Sequence, residues 1–125
     1  VDLDCIKAFF ASPLMKRISL SPHYEREVRF SAEIPAGRLK PELKPPMSEE
    51  SVVLQGAVDL VFEENGSLVI VDYKTDRIRD PLVLWEHYRG QLALYQEELT
   101  RCTGKRVKEC LLYSFYLNTE IKGKV

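Results

Sequence analysis

Two aspartates and a lysine are spaced so that one sheet could bring them together. Residues 53–76, VLQGAVDLVFEENGSLVIVDYKTD, place Asp59, Asp72 and Lys74 among apolar stretches. Two carboxylates can bind Mg²⁺ and leave coordination positions for waters and a phosphate oxygen. A metal held there would polarise a phosphodiester and lower the pKa of water, while a nearby lysine would orient that water or neutralise charge on phosphorus. These residue types point to metal-dependent phosphodiester hydrolysis.

An Asn-Gly pair determines how these residues face one another. Asn65-Gly66 favours a two-residue type I′ turn, because both central positions of that turn need φ > 0. Pairing outward from the turn places Asp59 opposite Asp72, and the alternation of side chains along a strand puts Lys74 on the same face. Opposed carboxylates in an apolar setting need a cation, a shared proton or a basic partner. A β-bulge would shift this register.

The same residues have a plainer interpretation. An aspartate pair neutralised by Lys74 at a strand end would be a structural ion pair, and this is the usual meaning of an isolated D-x-K pattern. The position of Asp59 across the Asn-Gly hairpin makes the metal site the better interpretation. A bound divalent ion and the two carboxylates would then balance each other's charge.

Helices and strands of mixed order surround the hairpin. Residues 2–20 show helical spacing of apolar residues, and Ser12-Pro13 should end one helix and start a second. Residues 23–33 alternate as a strand. Residues 34–50 are rich in proline and charge, which predicts a mobile loop. The alternation predicts a single face formed by Tyr24, Arg26, Val28 and Phe30.

The second half of the chain predicts a crossover. Asp80-Pro81 should begin a helix that runs through Cys102 and stops at Gly104. Residues 107–117 have strand composition, with a short tail after them. A helix between two strands carries the last strand back to the same sheet, so we expect an α/β fold with a mixed central sheet flanked by helices. One stripe of the helix should contain Leu84, Tyr88, Gln91, Leu92, Tyr95 and Leu99.

Length and composition limit the classes of function. The chain has 125 residues, which predicts one domain over residues 1–125. A formal net charge of −1 excludes the global basic field that gives autonomous, tight nucleic-acid binding. Three cysteines without metal-type spacing indicate a reduced, intracellular compartment, and no apolar run is as long as a membrane span. Because the chain starts at Val1, we expect it to be a piece of a larger protein.

The motifs resemble those of the RecB-family nuclease domain, in particular the nuclease domains at the C-terminus of bacterial helicase–nuclease subunits. The resemblance rests on G-x-x-D-L-V-F, V-D-Y-K-T-D and Y-x-x-Q-L-x-x-Y, and it extends from the helical start through REVRF to LLYSFYLN. It implies a restriction-endonuclease-like fold of the D…(D/E)-x-K type. It also implies Mg²⁺-dependent exonuclease cleavage of DNA, with Mn²⁺ as a substitute.

The resemblance assigns roles to individual residues. It makes Asp59 and Asp72 metal ligands, makes Lys74 the catalytic lysine, and lets the backbone carbonyl of Tyr73 complete the coordination sphere. It also matches Glu27 to a glutamate of the family's first strand motif. Glu27 would then contact a metal-bound water or support Lys74, or else it is a solvated strand residue paired with a neighbouring arginine.

Three further residues have a functional and a structural interpretation each. The resemblance implies that Gln91 and Tyr95, four apart on one helix face, flank the active site and touch the DNA backbone. The alternative is an ordinary stripe in which Tyr95 belongs to the core and Gln91 caps a strand carbonyl. Thr75 would contact phosphate or make a hydrogen bond at the end of a strand.

The resemblance also implies partners and a location. The rest of a helicase–nuclease chain would use ATP and feed DNA to this site, a partner subunit would join it, and the complex would be cytoplasmic in a bacterium, with no membrane. Family members usually supply a metal-binding histidine from an upstream helix, and neither His23 nor His87 occupies that place. We therefore expect a truncated C-terminal fragment whose isolated activity is in doubt.

Two other functions remain open on the sequence. A nucleic-acid-binding or subunit-docking domain could keep the nuclease fold without cleaving, and the missing histidine and the absence of a basic surface favour it. A purely structural domain is the third interpretation. It predicts that Asp59→Asn and Asp72→Asn are neutral or stabilising, because the opposed charges would be relieved.

Overall fold

A mixed five-stranded sheet with helices on both faces forms the fold over residues 2–123, the part of the chain that the computed structural model describes. The strands follow one another in the sheet in chain order, and all neighbours are antiparallel except β3 and β4. The predicted α/β class and mixed sheet are confirmed. The strands are β1 Tyr24–Pro35, β2 Ser51–Glu64, β3 Ser67–Lys74, β4 Val107–Ser114 and β5 Thr119–Lys122; the helices are α1 Leu3–Phe10, α2 Pro13–Ser19, α3 Ala36–Leu39 and α4 Pro81–Thr103.

The helices begin and end at the predicted signals. The Ser12 side chain accepts a hydrogen bond from the first turn of α2, and the Asp80 side chain accepts one from Leu82 N–H at 2.9 Å at the start of α4. Gly104 ends α4 with a left-handed φ of 71°. No helix within residues 2–123 is long and apolar enough to cross a membrane.

The central hairpin has the predicted turn and register. Asn65 and Gly66 have φ values of 52° and 79°, as a type I′ turn requires. The β2–β3 pairing runs outward from this turn to Leu60 and Val71, which are paired as predicted. The crossover through α4 then sets β4 parallel to β3, so that Lys74 lies beside the last residue of β4.

The sheet separates two apolar clusters, which pack against different helices. The first lies under α4, and the second lies under α1 and α2. Alternate residues of β3 supply the two clusters, because strand side chains point to opposite faces in turn. Asp72 and Lys74 follow Ile70 on the α4 side, whereas Tyr73 follows Val71 on the side of α1.

The alternation of side chains between the two faces of the sheet is interrupted in both β1 and β2, at neighbouring positions of the two strands. Phe30 packs against the cluster under α4, whereas Arg26 pairs with Leu60, which belongs to the opposite cluster. The pairing skips Glu27, whose φ of 52° is left-handed. The prediction of one unbroken face along residues 24–30 is therefore wrong, because a left-handed residue interrupts the alternation that a regular strand keeps.

Two connecting segments contain more structure than the sequence predicted. The segment 34–50 is not a plain loop: β1 extends through Pro35, the short helix α3 follows, and a 3₁₀ turn occupies Met47–Glu49. Two hydrogen bonds of 2.8 and 2.6 Å join Arg38 in α3 to Glu97 in α4. The last predicted strand is shorter than expected and ends at residue 114, and the predicted tail folds back as β5.

Gly56 of β2 lies close to an aromatic ring of β1 and to one of α4. A Cβ at this position would lie 2.5 Å from the Phe30 ring and 2.8 Å from the Tyr95 ring. We expect Gly56→Ala to lower the free energy of unfolding by about 1–3 kcal/mol, because the two rings must separate. Urea denaturation measures this change. The matched control is Gly90→Ala in α4, where a Cβ meets nothing within 4 Å and should add about 1 kcal/mol.

Candidate active site

The two carboxylates and the lysine meet where β2 and β3 separate. Asp59 Oδ2 accepts a hydrogen bond of 2.8 Å from the backbone N–H of Tyr73. Lys74 Nζ lies 2.9 Å from Asp72 Oδ2, and the two side chains are only 16% and 8% exposed. The structure thus brings together Asp59, Asp72 and Lys74, as their spacing predicted. This site lies on the α4 side of the sheet.

At the end of the β2–β3 pairing, the Asp59 side chain replaces a backbone carbonyl as hydrogen-bond acceptor. The β2–β3 ladder stops at Leu60 and Val71, and the next residue of β2, Asp59, uses its carboxylate to bind the Tyr73 N–H. The N–H and C=O of a strand residue point to the same edge. The Tyr73 carbonyl therefore faces the same gap as the Asp59 side chain, where a backbone oxygen is available to a ligand.

Burial and charge make Asp72 hard to ionise. The pKa of its carboxyl is raised to about 6, mainly by desolvation and in addition by the adjoining Asp59 carboxyl. The Lys74 ammonium acts in the opposite direction without cancelling these effects. The Asp59 and Asp72 carboxyls therefore lie together without full neutralisation by Lys74.

Tyr88 of α4 covers Lys74 from the other side. The Lys74 Nζ lies 3.8 Å from the centroid of the Tyr88 ring, and the Tyr88 hydroxyl donates a hydrogen bond of 2.7 Å to Asp76 Oδ2. This hydrogen bond is the main cause that raises the pKa of Tyr88. Sequence reasoning placed Tyr88 only in a helix stripe; its place in the Y-x-x-Q-L-x-x-Y motif was the available signal.

The other predicted residues lie at different distances from the carboxylate pair. Glu27 is exposed and lines an open depression together with Arg26, Asp59 and Tyr73, so it borders the site. Thr75 lines another cavity, which it shares with α1 and with the chain after β4. The structure therefore brings Glu27, but not Thr75, to the rim around Asp59.

Gln91 and Tyr95 differ in burial although they share a helix face. Gln91 is exposed, whereas Tyr95 is buried and packs edge to face on Phe30, with ring centroids 5.1 Å apart. Desolvation raises the pKa of the Tyr95 phenol, and the charge of Asp72 adds to this effect. Tyr95 thus forms part of the core beneath the site, and Gln91 is the member of this pair that solvent or DNA can reach.

The donor atoms suit a hard cation. Two carboxylates and a backbone carbonyl supply oxygen only, which is the ligand type that Mg²⁺ and Mn²⁺ take in proteins, with waters in the remaining positions. Within residues 2–123 no three side chains of His, Cys, Asp or Glu converge on one metal position. His23 contacts Glu25 at 3.1 Å, and His87 packs on Tyr88, so neither joins the pair.

Comparison with known proteins identifies the family of this chain. The family model described as the PD-(D/E)XK nuclease superfamily matches residues 8–124. The chain belongs to the PD-(D/E)XK nuclease superfamily. Nucleases of this superfamily generally use divalent metal ions. The D…D-x-K spacing of Asp59, Asp72 and Lys74 corresponds to the pattern in the superfamily's name.

The relatives given below all have the same protein name. The chain is 41% identical over 118 residues to an ATP-dependent helicase/nuclease subunit of Clostridium botulinum strain Loch Maree, and 42% identical to that of strain 657. The protein of the same name from Anoxybacillus flavithermus is 40% identical over 119 residues. These matches cover 92–94% of this chain and about 9% of each relative. The chain therefore spans about a tenth of the length of these relatives.

The raised pKa of Asp72 predicts a pH-dependent stability. Because the folded-state pKa lies above the ordinary 3.8, ionisation opposes folding fully above about pH 6, and this opposition disappears as the pH falls toward 3.8. Without divalent metal and above pH 6, Asp72→Asn should therefore raise the free energy of unfolding by about 3 kcal/mol. Urea denaturation with a chelator at several pH values measures the difference.

The exposed Asp4→Asn is the matched control for this experiment. It makes the same aspartate-to-asparagine change at an exposed side chain, so it shows what the substitution itself does without the removal of a buried carboxyl. An Asp72→Asn difference that stays constant from pH 7 to pH 4 would contradict the assigned burial effect.

Proposed function

We propose that this chain is a Mg²⁺-dependent deoxyribonuclease module that hydrolyses phosphodiester bonds of DNA. The observation that carries the proposal is the meeting of Asp59, Asp72 and Lys74 at the opened edge between two strands. Family membership supports the reaction class. Mn²⁺ is expected to substitute, because it accepts the same oxygen donors.

The roles of the residues follow from their positions. Asp59, Asp72 and the Tyr73 carbonyl would hold the metal, which supplies Lewis-acid polarisation of the phosphate and a more acidic water. Lys74 Nζ would neutralise the charge that develops on the phosphate oxygens or orient the attacking water. The apolar cluster beneath the site limits access of bulk water, which strengthens both electrostatic effects.

The larger context is also a proposal. The relatives are named ATP-dependent helicase/nuclease subunits, and this chain matches about 9% of their length. We infer that the chain acts as the nuclease module of such a helicase–nuclease in the repair and recombination of double-strand breaks, in a bacterial cytoplasm. The motor would consume ATP and deliver one DNA strand, and a partner subunit would complete the assembly. A net charge of −1 suits this division, since the motor supplies the affinity for DNA.

One observation favours a second function. Within residues 2–123 the site offers two carboxylates and no third converging His, Cys, Asp or Glu side chain. A domain that keeps the fold, binds DNA or a partner protein, and does not cleave would be consistent with this donor set. Metal dependence of cleavage distinguishes the two functions.

Calorimetric titration with Mg²⁺ or Mn²⁺ tests the nuclease proposal first. The unaltered chain should bind the ion saturably, and Asp59→Asn and Asp72→Asn should each abolish binding, because each removes a charged ligand. On linear single-stranded DNA the same variants should lower the cleavage rate about 100-fold or more. Lys74→Ala should lower cleavage to a similar extent while it keeps metal binding.

The exposed Asp4→Asn again serves as the control, and it should change neither binding nor cleavage. Metal binding without cleavage would favour the non-cleaving function. Cleavage that both Asp59→Asn and Asp72→Asn leave intact would refute the assigned site.

A further inference from the structure

A tyrosine outside the predicted catalytic set makes a direct contact with Lys74. The Nζ–ring distance of 3.8 Å to Tyr88 is well inside the range of a cation–π interaction. The Lys74 side chain is 16% exposed, so this contact is partly shielded from water. A cation–π interaction is stronger in such a setting than at an open surface.

The position of the ring is itself fixed by two contacts. Leu84 and Leu92 lie one turn before and one turn after Tyr88 on α4, and both are fully buried, so the rotation of the helix is set. The Tyr88 hydroxyl donates to Asp76 at 2.7 Å, which ties the helix to the segment that follows β3. The ring therefore presents its face to Lys74 from a held position.

Asp72 alone would not fix the position of the Lys74 ammonium in a site that contains a metal ion. Lysine has a flexible four-carbon stem, so one ion pair leaves the ammonium free to move around the carboxylate. A cation bound by Asp72 would share the same oxygens and repel the ammonium. The π face of Tyr88 attracts the ammonium without offering a ligand to the metal.

We propose that Tyr88 is a positioning residue, which holds the Lys74 ammonium beside the metal position by a cation–π contact and is itself held by Asp76. This inference rests on the proposed nuclease function and names a further residue of the same site. Tyr88 touches neither substrate nor metal in this role. It acts through Lys74.

Two substitutions at one position separate the ring from the hydroxyl. Tyr88→Phe keeps the π face, and Tyr88→Leu removes it while a partly buried apolar side chain remains. We expect Tyr88→Leu to lower kcat on linear single-stranded DNA about tenfold with little change in KM, the size expected for the loss of a shielded cation–π contact. Tyr88→Phe should restore most of the rate.

Nuclear magnetic resonance supplies a readout that does not need activity. The Lys74 ε-methylene protons, identified by their absence in Lys74→Ala, should resonate upfield because the Tyr88 ring current acts on them. The upfield position should persist in Tyr88→Phe and be lost in Tyr88→Leu. Asp76→Ala should resemble Tyr88→Phe, and the two together should add nothing, because both remove the same hydrogen bond.

The outcomes distinguish this inference from the proposed function. Tyr24→Leu, at an exposed tyrosine of β1, is the matched control and should leave both readouts unchanged. Lys74 resonances that do not move in Tyr88→Leu, or a Tyr88→Phe variant as slow as Tyr88→Leu, would overturn the positioning role. Cleavage unaffected by Asp59→Asn and Asp72→Asn would instead overturn the nuclease site. The resonance shift would still test the contact between Tyr88 and Lys74, because it does not depend on activity.

Discussion

The hydrogen bond from Tyr73 N–H to the Asp59 carboxylate is the interaction on which the site depends. It satisfies a backbone donor that would otherwise lack a partner at the end of the β2–β3 ladder. In doing so it fixes an acidic side chain where a backbone carbonyl would normally lie. The strands can then separate without leaving the Tyr73 N–H unpaired, and Asp59 and Tyr73 line the open depression that results.

The opening concentrates negative charge beside an apolar cluster. Asp72 is 6% exposed and shares this space with Asp59, so its ionisation is opposed by both burial and repulsion. The arrangement lowers the stability of the empty fold, as functional sites commonly do. Lys74 and the face of Tyr88 oppose this effect only in part, because one ammonium cannot balance two carboxylates.

The parts of the fold that depend on residues adjacent in the sequence, such as turns and helix ends, could be predicted. Asn65-Gly66 determined the turn and hence the register as far as Leu60 and Val71, although the predicted pair of Asp59 with Asp72 is not formed. Asp80 and Gly104 marked the ends of α4. The change of faces at Glu27 could not be predicted, because glutamate has no local preference for the left-handed conformation that it adopts within this strand.

Contacts between α4 and the sheet also could not be predicted from the sequence. The approach of Tyr88 to Lys74 depends on how α4 is rotated and tilted over the sheet. The apolar stripe predicts which side of the helix faces the sheet, but it does not predict which side chains of α4 and β3 come into contact. The strand β5 was missed for a different reason. It has four residues, and its hairpin with β4 requires a left-handed Asn118 that composition alone does not reveal.

Stability measurements alone do not separate a structural domain from a nuclease, because relief of repulsion by an asparagine is expected in both. The charges themselves are more informative. Replacing a buried ion pair by apolar residues of similar volume is often neutral or stabilising, so stability alone gives little reason to keep buried charges. Three acids, Asp59, Asp72 and Glu27, lie around the site with two bases, Lys74 and Arg26. Tyr88 covers Lys74 with a π face in place of a second carboxylate. An excess of acid beside an open backbone carbonyl favours a site that binds a divalent cation over one that only stabilises the fold.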